Sequence, residues 1–326
     1  MIPLYLYRLV TAGVLLTGAY GRVRSPWRRE GSQWVQADDT WMAGANFIPS
    51  TAVNELEMFH PETYDHATID AELGYAEALG FNAVRVFLHN LLWSDGDSDT
   101  SEEFLSTLES FLEVTSSHGI GVMFVLLDSC WNSDPATGPQ PDPIPYVHNS
   151  QWVQAPGYDI VMNAAAFELL EPYVKGVVNH FQNDSRIIAW DVWNEPDNSG
   201  YSPDTIAPLI SKVFQWCREA QPTQPLTTPV WKGNVYDVPA TLSSLEQIQL
   251  TESDIVSFHS YTPAALLKET ISSLVGYGKP IVCTEYMARE AGSVFDPHLG
   301  LMKDSGVCAF NWGLVSGRTQ TIYPWL

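Results

Sequence analysis

The sequence predicts a (β/α)8 barrel formed as one domain, and three observations predict it. Eight short runs of consecutive apolar residues lie between positions 41 and 312. Stretches with helical periodicity separate most of them. The chain has 326 residues, 45% of them hydrophobic, which suits one large barrel with a core that is stable without staples. Apolar runs that do not alternate with polar residues read as strands buried on both faces. Such strands, separated by helices, imply a parallel sheet with right-handed crossovers. A doubly wound sheet would carry a glycine-rich turn after its first strand, and Gly44-Ala45-Asn46 does not supply one.

Taken in order, residues 41–47 form the first strand, and a helix over 68–79 ends at Gly80. The second strand is 82–87, and a helix over 101–118 starts at Ser101 and stops at Gly119. The third is 121–127. Residues 128–162 are a long connection rich in Pro, Asn and Trp, of the kind that walls a cleft. A long helix over 163–181 leads to the fourth strand at 187–193, and a helix over 204–220 to a weak fifth strand at 226–230. The sixth is 254–259, followed by a helix over 264–277. The seventh is 280–285, followed by a short helix over 297–304. The last is 307–312. Residues 313–326 leave an eighth outer helix short or absent. The catalytic domain is therefore placed at 41–326. The segment 1–40 reads equally as a leader, from the apolar run at 9–19, and as a barrel-capping piece. Secretion and intracellular residence stay open, and a monomer is expected.

Net charge is −22, which repels phosphate backbones and anionic lipid, so neither nucleic acid nor membrane is expected as a partner. The run at 9–19 is too short to span a bilayer. A neutral carbohydrate suits this surface. The chain's 12 Trp, 14 Tyr and 13 Phe suit it further, because aromatic faces stack on sugar rings; most such rings nevertheless serve cores. Cys130, Cys217, Cys283 and Cys308 are too few for a disulfide framework and read as buried thiols, a Cys283–Cys308 contact staying open. No cysteine pair has metal-ligand spacing, and no cofactor is implied. The run Ser94-Asp95-Gly96-Asp97-Ser98-Asp99 lacks the closing glutamate of a calcium loop and reads as a solvated turn.

Polar residues at the C-terminal ends of barrel strands face the active site. Two glutamates stand there, Glu195 after the fourth strand and Glu285 on the seventh, on opposite sides of the barrel. Paired carboxylates about 5–5.5 Å apart are what retaining glycoside hydrolysis needs, one protonated as acid and one ionised as nucleophile. Arg85 on the second strand would keep Glu285 ionised, and Tyr261 would donate a hydrogen bond to it. Asn194 would hold a substrate hydroxyl, His259 would tune the acid, and Trp312 would floor the sugar site. His89, Asp128, Asn132 and Trp131 are further candidates for substrate contacts or support; Trp93, Trp152 and Trp231 fit subsite platforms and loop packing equally well, and His148 and Asn149 are weaker candidates.

Trp193-Asn194-Glu195-Pro196 after an apolar strand, with Glu285 closing a later one, resembles the clan A glycoside hydrolases, and family 5, the cellulase-like group, most. Arg85, His259-x-Tyr261 and Trp312 match further positions of that pattern. The resemblance implies Glu195 as acid/base and Glu285 as nucleophile, cleavage of a β-1,4-linked polysaccharide or its oligomers with retention, and no metal or cofactor. Family members commonly supply the imidazole placed here at His89 from the following strand. A carbohydrate-binding pseudoenzyme and a transglycosylase using the same residues are the alternatives.

Overall fold

The computed structural model describes residues 23, 25–37, 40–95 and 98–325; the apolar run at 9–19 and Asp97 lie outside them. Eight parallel strands form the barrel: β1 (Ala43–Asn46), β2 (Ala83–Phe87), β3 (Gly121–Val125), β4 (Ile187–Asp191), β5 (Leu226–Thr227), β6 (Val256–His259), β7 (Ile281–Tyr286) and β8 (Cys308–Trp312). They are ordered β6-β7-β8-β1-β2-β3-β4-β5. The seam between β5 and β6 is joined by a parallel bridge from Val230 to Phe258. There the Val230 N–H donates to the Ser257 carbonyl at 3.1 Å, and the His259 N–H to the Val230 carbonyl at 3.0 Å. Pro229 cannot donate to the ladder, which explains why the fifth strand is short and resumes as a single bridge.

Every residue of β2, β3, β4 and β7 is buried, as two-sided coverage requires. Among the described residues, seven helices of nine residues or more cover the outside: α1 (His66–Leu79), α2 (Ser101–Ser117), α3 (Glu171–His180), α4 (Pro203–Glu219), α5 (Ser244–Glu252), α6 (Ala264–Leu274) and α7 (Phe295–Asp304). Asp65 caps α1 through the Thr68 N–H, and Gly80 ends it at φ +84°, a conformation glycine adopts without strain. The helix expected over 163–181 is divided: a 3-10 stretch at Ala164–Leu170 precedes α3. Pro172, at the start of α3, lacks the N–H that would carry the ladder across.

Helix α5 was not anticipated. Its nine residues show little amphipathic contrast, but a capping box announces it, Ser243 accepting from the Glu246 N–H while the Glu246 carboxylate accepts from the Ser243 N–H. Below the barrel an antiparallel hairpin, Trp27–Glu30 with Gln33–Gln36, sends Trp27 and Trp34 into a cluster with Met42, Met123, Ile188 and Val282 at the N-terminal strand ends. No helix follows β8 among the described residues; 313–325 run as turns. All four cysteines are buried and unbridged. No helix among the described residues is long and apolar enough to cross a membrane.

Candidate active site

The C-terminal mouth of the barrel holds a cavity of about 130 Å³, and Glu195, Glu285, Asn194, Tyr261, Trp131 and Trp312 are in its wall. One oxygen of Glu195, one oxygen of Glu285 and a ring nitrogen of His259 lie within 4.8 Å of one another. Two elements far apart in sequence therefore deliver their carboxyl groups to one point. Glu195 sits at φ +41°, between Asn194 and Pro196, in a backbone region that costs a non-glycine residue roughly 1–3 kcal/mol. That strained turn re-aims the chain after β4 and presents the carboxyl to the cavity.

Burial is the main influence on Glu195 and lifts its pKa to about 6. Asn198, Cys130 and Arg85 pull the other way, while Asp197 adds to the rise. Asn198 Nδ2 donates to Oε2 at 2.6 Å, and the Cys130 thiol lies 3.5 Å from the same oxygen. His259 Nδ1 lies 2.7 Å from Oε1 and 3.5 Å from Oε2 of Glu285. Burial drives the His259 pKa down to about 4, so the ring is neutral near pH 6. Its Nε2 is buried without a partner. A bare lone pair is easier to bury there than an orphaned N–H, which favours the tautomer with the proton on Nδ1, facing Glu195.

Glu285 is also pushed up by burial, with Glu195 adding to the push and His259, Arg85 and Tyr261 opposing it. Arg85 Nη1 donates to its Oε1 at 2.8 Å, and the Tyr261 hydroxyl donates to its Oε2 at 2.6 Å. Two carboxylates this close resist double ionisation, and the guanidinium decides which of them keeps the charge. Arg85 is fully buried and serves more than Glu285. Its Nε and Nη2 donate to Asp191 Oδ2 at 3.0 and 2.8 Å, its Nη1 to Asn46 at 2.8 Å, and its Nη2 to Asn194 at 2.7 Å. Glu285 was expected as its natural carboxylate partner. Asp191, on β4, shares that role, its Oδ2 lying 2.8 Å from Nη2.

Asp128 stands behind the cavity wall. It accepts from Asn194 Nδ2 at 2.9 Å and from Trp152 Nε1 at 2.6 Å, so it fixes two wall residues and does not face the cavity itself. Burial raises its pKa to about 6. His89 is not brought to the cavity. Its Nδ1 accepts from the Leu91 N–H at 3.1 Å, its Nε2 lies 3.0 Å from the Gln154 carbonyl, and burial lowers its pKa to about 3. The chain turns at His89 into a 3-10 helix, Asn90–Leu92, and the ring caps that turn. It supports the loop that carries Trp131 and Trp152, through Gln154, whose Nε2 donates to the Trp131 carbonyl at 3.2 Å.

The tryptophans divide. Trp131, Trp152, Trp231 and Trp312 reach the cavity. Trp93 packs away from it, over α3, where a Cβ at Gly176 would meet its ring at 2.1 Å. Asn132 takes part in loop pairing with Val153. The long connection contributes Cys130, His148 and Asn149 to the wall, and Trp325 closes one side. Asn46, Asp191, Asn198 and Trp325 were not singled out in the sequence. Asp191 alone had a usable signal, an acid inside an apolar strand. Among the described residues, Glu195, His259 and Glu285 also form the one group of acidic and histidine donors close enough to hold a metal ion. Both Glu285 oxygens already accept from Arg85 and Tyr261, and the guanidinium repels a second cation beside it.

A barrel whose C-terminal mouth brings two carboxylates together, one of them clamped by a guanidinium, has the arrangement of a glycoside hydrolase. The chain belongs to the cellulase family, glycosyl hydrolase family 5, whose family model matches residues 44–315. It is 21% identical over 276 residues to mannan endo-1,4-β-mannosidase A of Hypocrea jecorina, a match that covers 69% of this chain and 57% of that protein. The chain thus spans little more than half the length of that relative. The β-mannanase of the blue mussel Mytilus edulis superposes with a TM-score of 0.62 at 18% identity, covering 93% of this chain and 95% of the other. An exo-β-1,4-mannosidase from Opitutaceae bacterium strain TAV5 superposes with a TM-score of 0.60 at 16% identity, covering 88% of this chain and 53% of the other. At these identities the two structures establish the fold.

Proposed function

We propose that the chain is a retaining β-glycosidase acting on β-1,4-linked, mannan-type polysaccharide or its oligosaccharides, with Glu285 as nucleophile and Glu195 as acid/base. The convergence of Glu195 and Glu285 carries the reading. Glu285, held ionised by Arg85 and Tyr261, attacks the anomeric carbon. Glu195, kept protonated up to about pH 6 by burial, gives its proton to the departing glycosidic oxygen. The product is a glycosyl ester on Glu285 and a free alcohol. Glu195, now a carboxylate, takes a proton from water as that water attacks the anomeric carbon, and Glu285 departs ionised. Asn194, fixed by Arg85 and Asp128, keeps one N–H near the Cys130 sulfur at 3.4 Å, a weak partner that a sugar hydroxyl would replace. The mannan-type substrate rests on the names of the relatives, the double displacement on the site.

A 2-deoxy-2-fluoro mannoside with a good leaving group tests the assignment. It is expected to label the peptide carrying Glu285, while Glu285→Ala folds and loses turnover. Glu195→Ala is expected to keep activity on activated aryl glycosides and to gain rate with azide. Near-normal turnover by Glu285→Ala on these glycosides overturns the reading.

A further inference from the structure

We infer that the pocket is closed on its glycone side, so that the chain removes single sugars from the non-reducing ends of β-1,4-linked oligosaccharides and does not cut within long chains. The inference rests on the roles proposed for Glu195 and Glu285. The acid protonates the leaving oxygen, so the leaving part of the substrate lies on the side of Glu195, and the sugar that is transferred extends beyond Glu285.

The two sides are built differently. Around Glu195 stand Asn198, Cys130 and the loop residues Trp131 and Trp231; Trp131 is 45% exposed, and this side opens to solvent. Beyond Glu285 the rings touch one another in series, and Trp325, 36% exposed, forms their rim. Tyr261, which donates to Glu285, meets the Trp325 ring at 4.6 Å. Trp325 meets His148 at 5.1 Å, His148 meets Trp312 at 6.4 Å, and Trp312 meets Trp152 at 6.0 Å. A cavity of about 130 Å³ inside such a wall is small beside the roughly 300–1,000 Å³ of pockets that take drug-sized ligands, and matches one sugar ring better than a run of them.

The wall is part of the fold. Residues 313–325 run from the end of β8 across the mouth to the long connection. The Asn149 N–H donates to the Thr319 carbonyl at 3.0 Å. His148 Nδ1 lies 2.7 Å from the Tyr323 carbonyl. Gln320 Nε2 donates to the Ile144 carbonyl at 2.6 Å, and its Oε1 accepts from the Tyr146 N–H at 2.8 Å. On the β1 side the Arg318 N–H donates to the Ser50 carbonyl at 3.0 Å, and the buried Thr319 hydroxyl to the Ala52 carbonyl at 2.9 Å. Pinned at both margins, the segment holds Trp325 where a longer glycone would have to pass.

Product analysis tests the inference. Wild-type enzyme is incubated with β-1,4-mannohexaose labelled at its reducing end, and separately with soluble galactomannan in a viscometer. The expected result is a ladder of labelled products shortened one sugar at a time, free mannose, and little viscosity loss per bond cut. Early mid-length fragments and a steep viscosity fall overturn closure while leaving the glycosidase assignment intact. No cleavage, together with no labelling by the 2-fluoro mannoside, overturns both. Trp325→Ala, checked for folding by circular dichroism, is expected to raise KM for an aryl mannoside about tenfold and to release some disaccharide; Trp325→Phe restores the wild-type pattern. An unchanged KM and product pattern in Trp325→Ala overturns the part given to Trp325.

Discussion

Tyr261→Phe isolates one of the bonds that favour the ionised form of the proposed nucleophile, Glu285. The substitution removes one hydroxyl and keeps the ring, so the contact with Trp325 survives. The bond it deletes is a 2.6 Å donation to a buried carboxylate that also accepts from Arg85. Hydrogen bonds to charged groups contribute about 1.5–3 kcal/mol, and one pKa unit corresponds to about 1.36 kcal/mol, so the Glu285 pKa is expected to rise by roughly one to two units. The sign follows from which form is favoured: a donor stabilises the ionised carboxylate, so its loss makes protonation easier. In the kcat/KM profile of an aryl glycoside, the acidic limb should move to higher pH by that amount. The alkaline limb, set by Glu195 at about 6, stays, so the bell narrows and its maximum falls. The charge on Glu285 fades as its bond to carbon forms, so Tyr261 stabilises the ground state at least as much as the transition state. The pH-independent rate should therefore fall much less than the rate measured on the acidic limb. An acidic limb unmoved within a few tenths of a unit refutes the role given to Tyr261.

Two further predictions come from buried carboxyls. Asn198→Ala removes the 2.6 Å donation that favours ionised Glu195, so the alkaline limb is expected to move above pH 6 by roughly one unit; a limb that stays or moves down contradicts the electrostatic account. Glu55 is 1% exposed, no side chain donates to its oxygens, and burial with the nearby Asp128 raises its pKa well above the usual value. A carboxyl whose folded pKa is raised gives its full stability below the unfolded pKa and loses it as pH climbs toward the folded one. Wild-type stability should therefore decline above about pH 4.5, with Glu55 contributing up to about 1.36 kcal/mol per pH unit. Glu55→Gln is expected to remove that share of the slope and to unfold at higher urea than wild type at pH 7. Parallel urea midpoints for the two proteins between pH 5 and 8 would refute it.

The barrel was legible because two-sided burial writes itself directly into sequence as unbroken apolar runs. Seven of the eight strands lie within the runs expected, trimmed where the chain leaves the ladder, and β7 runs one residue further, to Tyr286. Glu195 and Glu285 were picked out for the complementary reason: a carboxylate at the end of such a run calls for a partner or a task. What was not legible depends on contacts that no spacing encodes. His89 follows β2 by two residues, yet the chain turns there, and its ring caps the turn. Whether an imidazole reaches the cavity or its own backbone is decided by loop dihedrals that depend on the rest of the fold.

Asp191 lies between these cases. Side chains in each layer of such a barrel come from alternate strands, which pairs inward positions on β2 with those on β4. Arg85 on β2 meets Asp191 on β4 on that rule, and the rule was available from the strand order alone. A buried guanidinium with a single carboxylate would have to share that charge with a catalytic group. With Asp191 as a standing partner, Arg85 would stay in place when Glu285 loses its charge on forming the proposed glycosyl ester, and the buried guanidinium would keep a counter-charge. The same fixed pair orients Asn194 and Asn46 through the remaining guanidinium hydrogens. One inward aspartate on an otherwise apolar strand would thus allow Glu285 to change charge while its surroundings stay still, which is the preorganisation that the proposed double displacement needs.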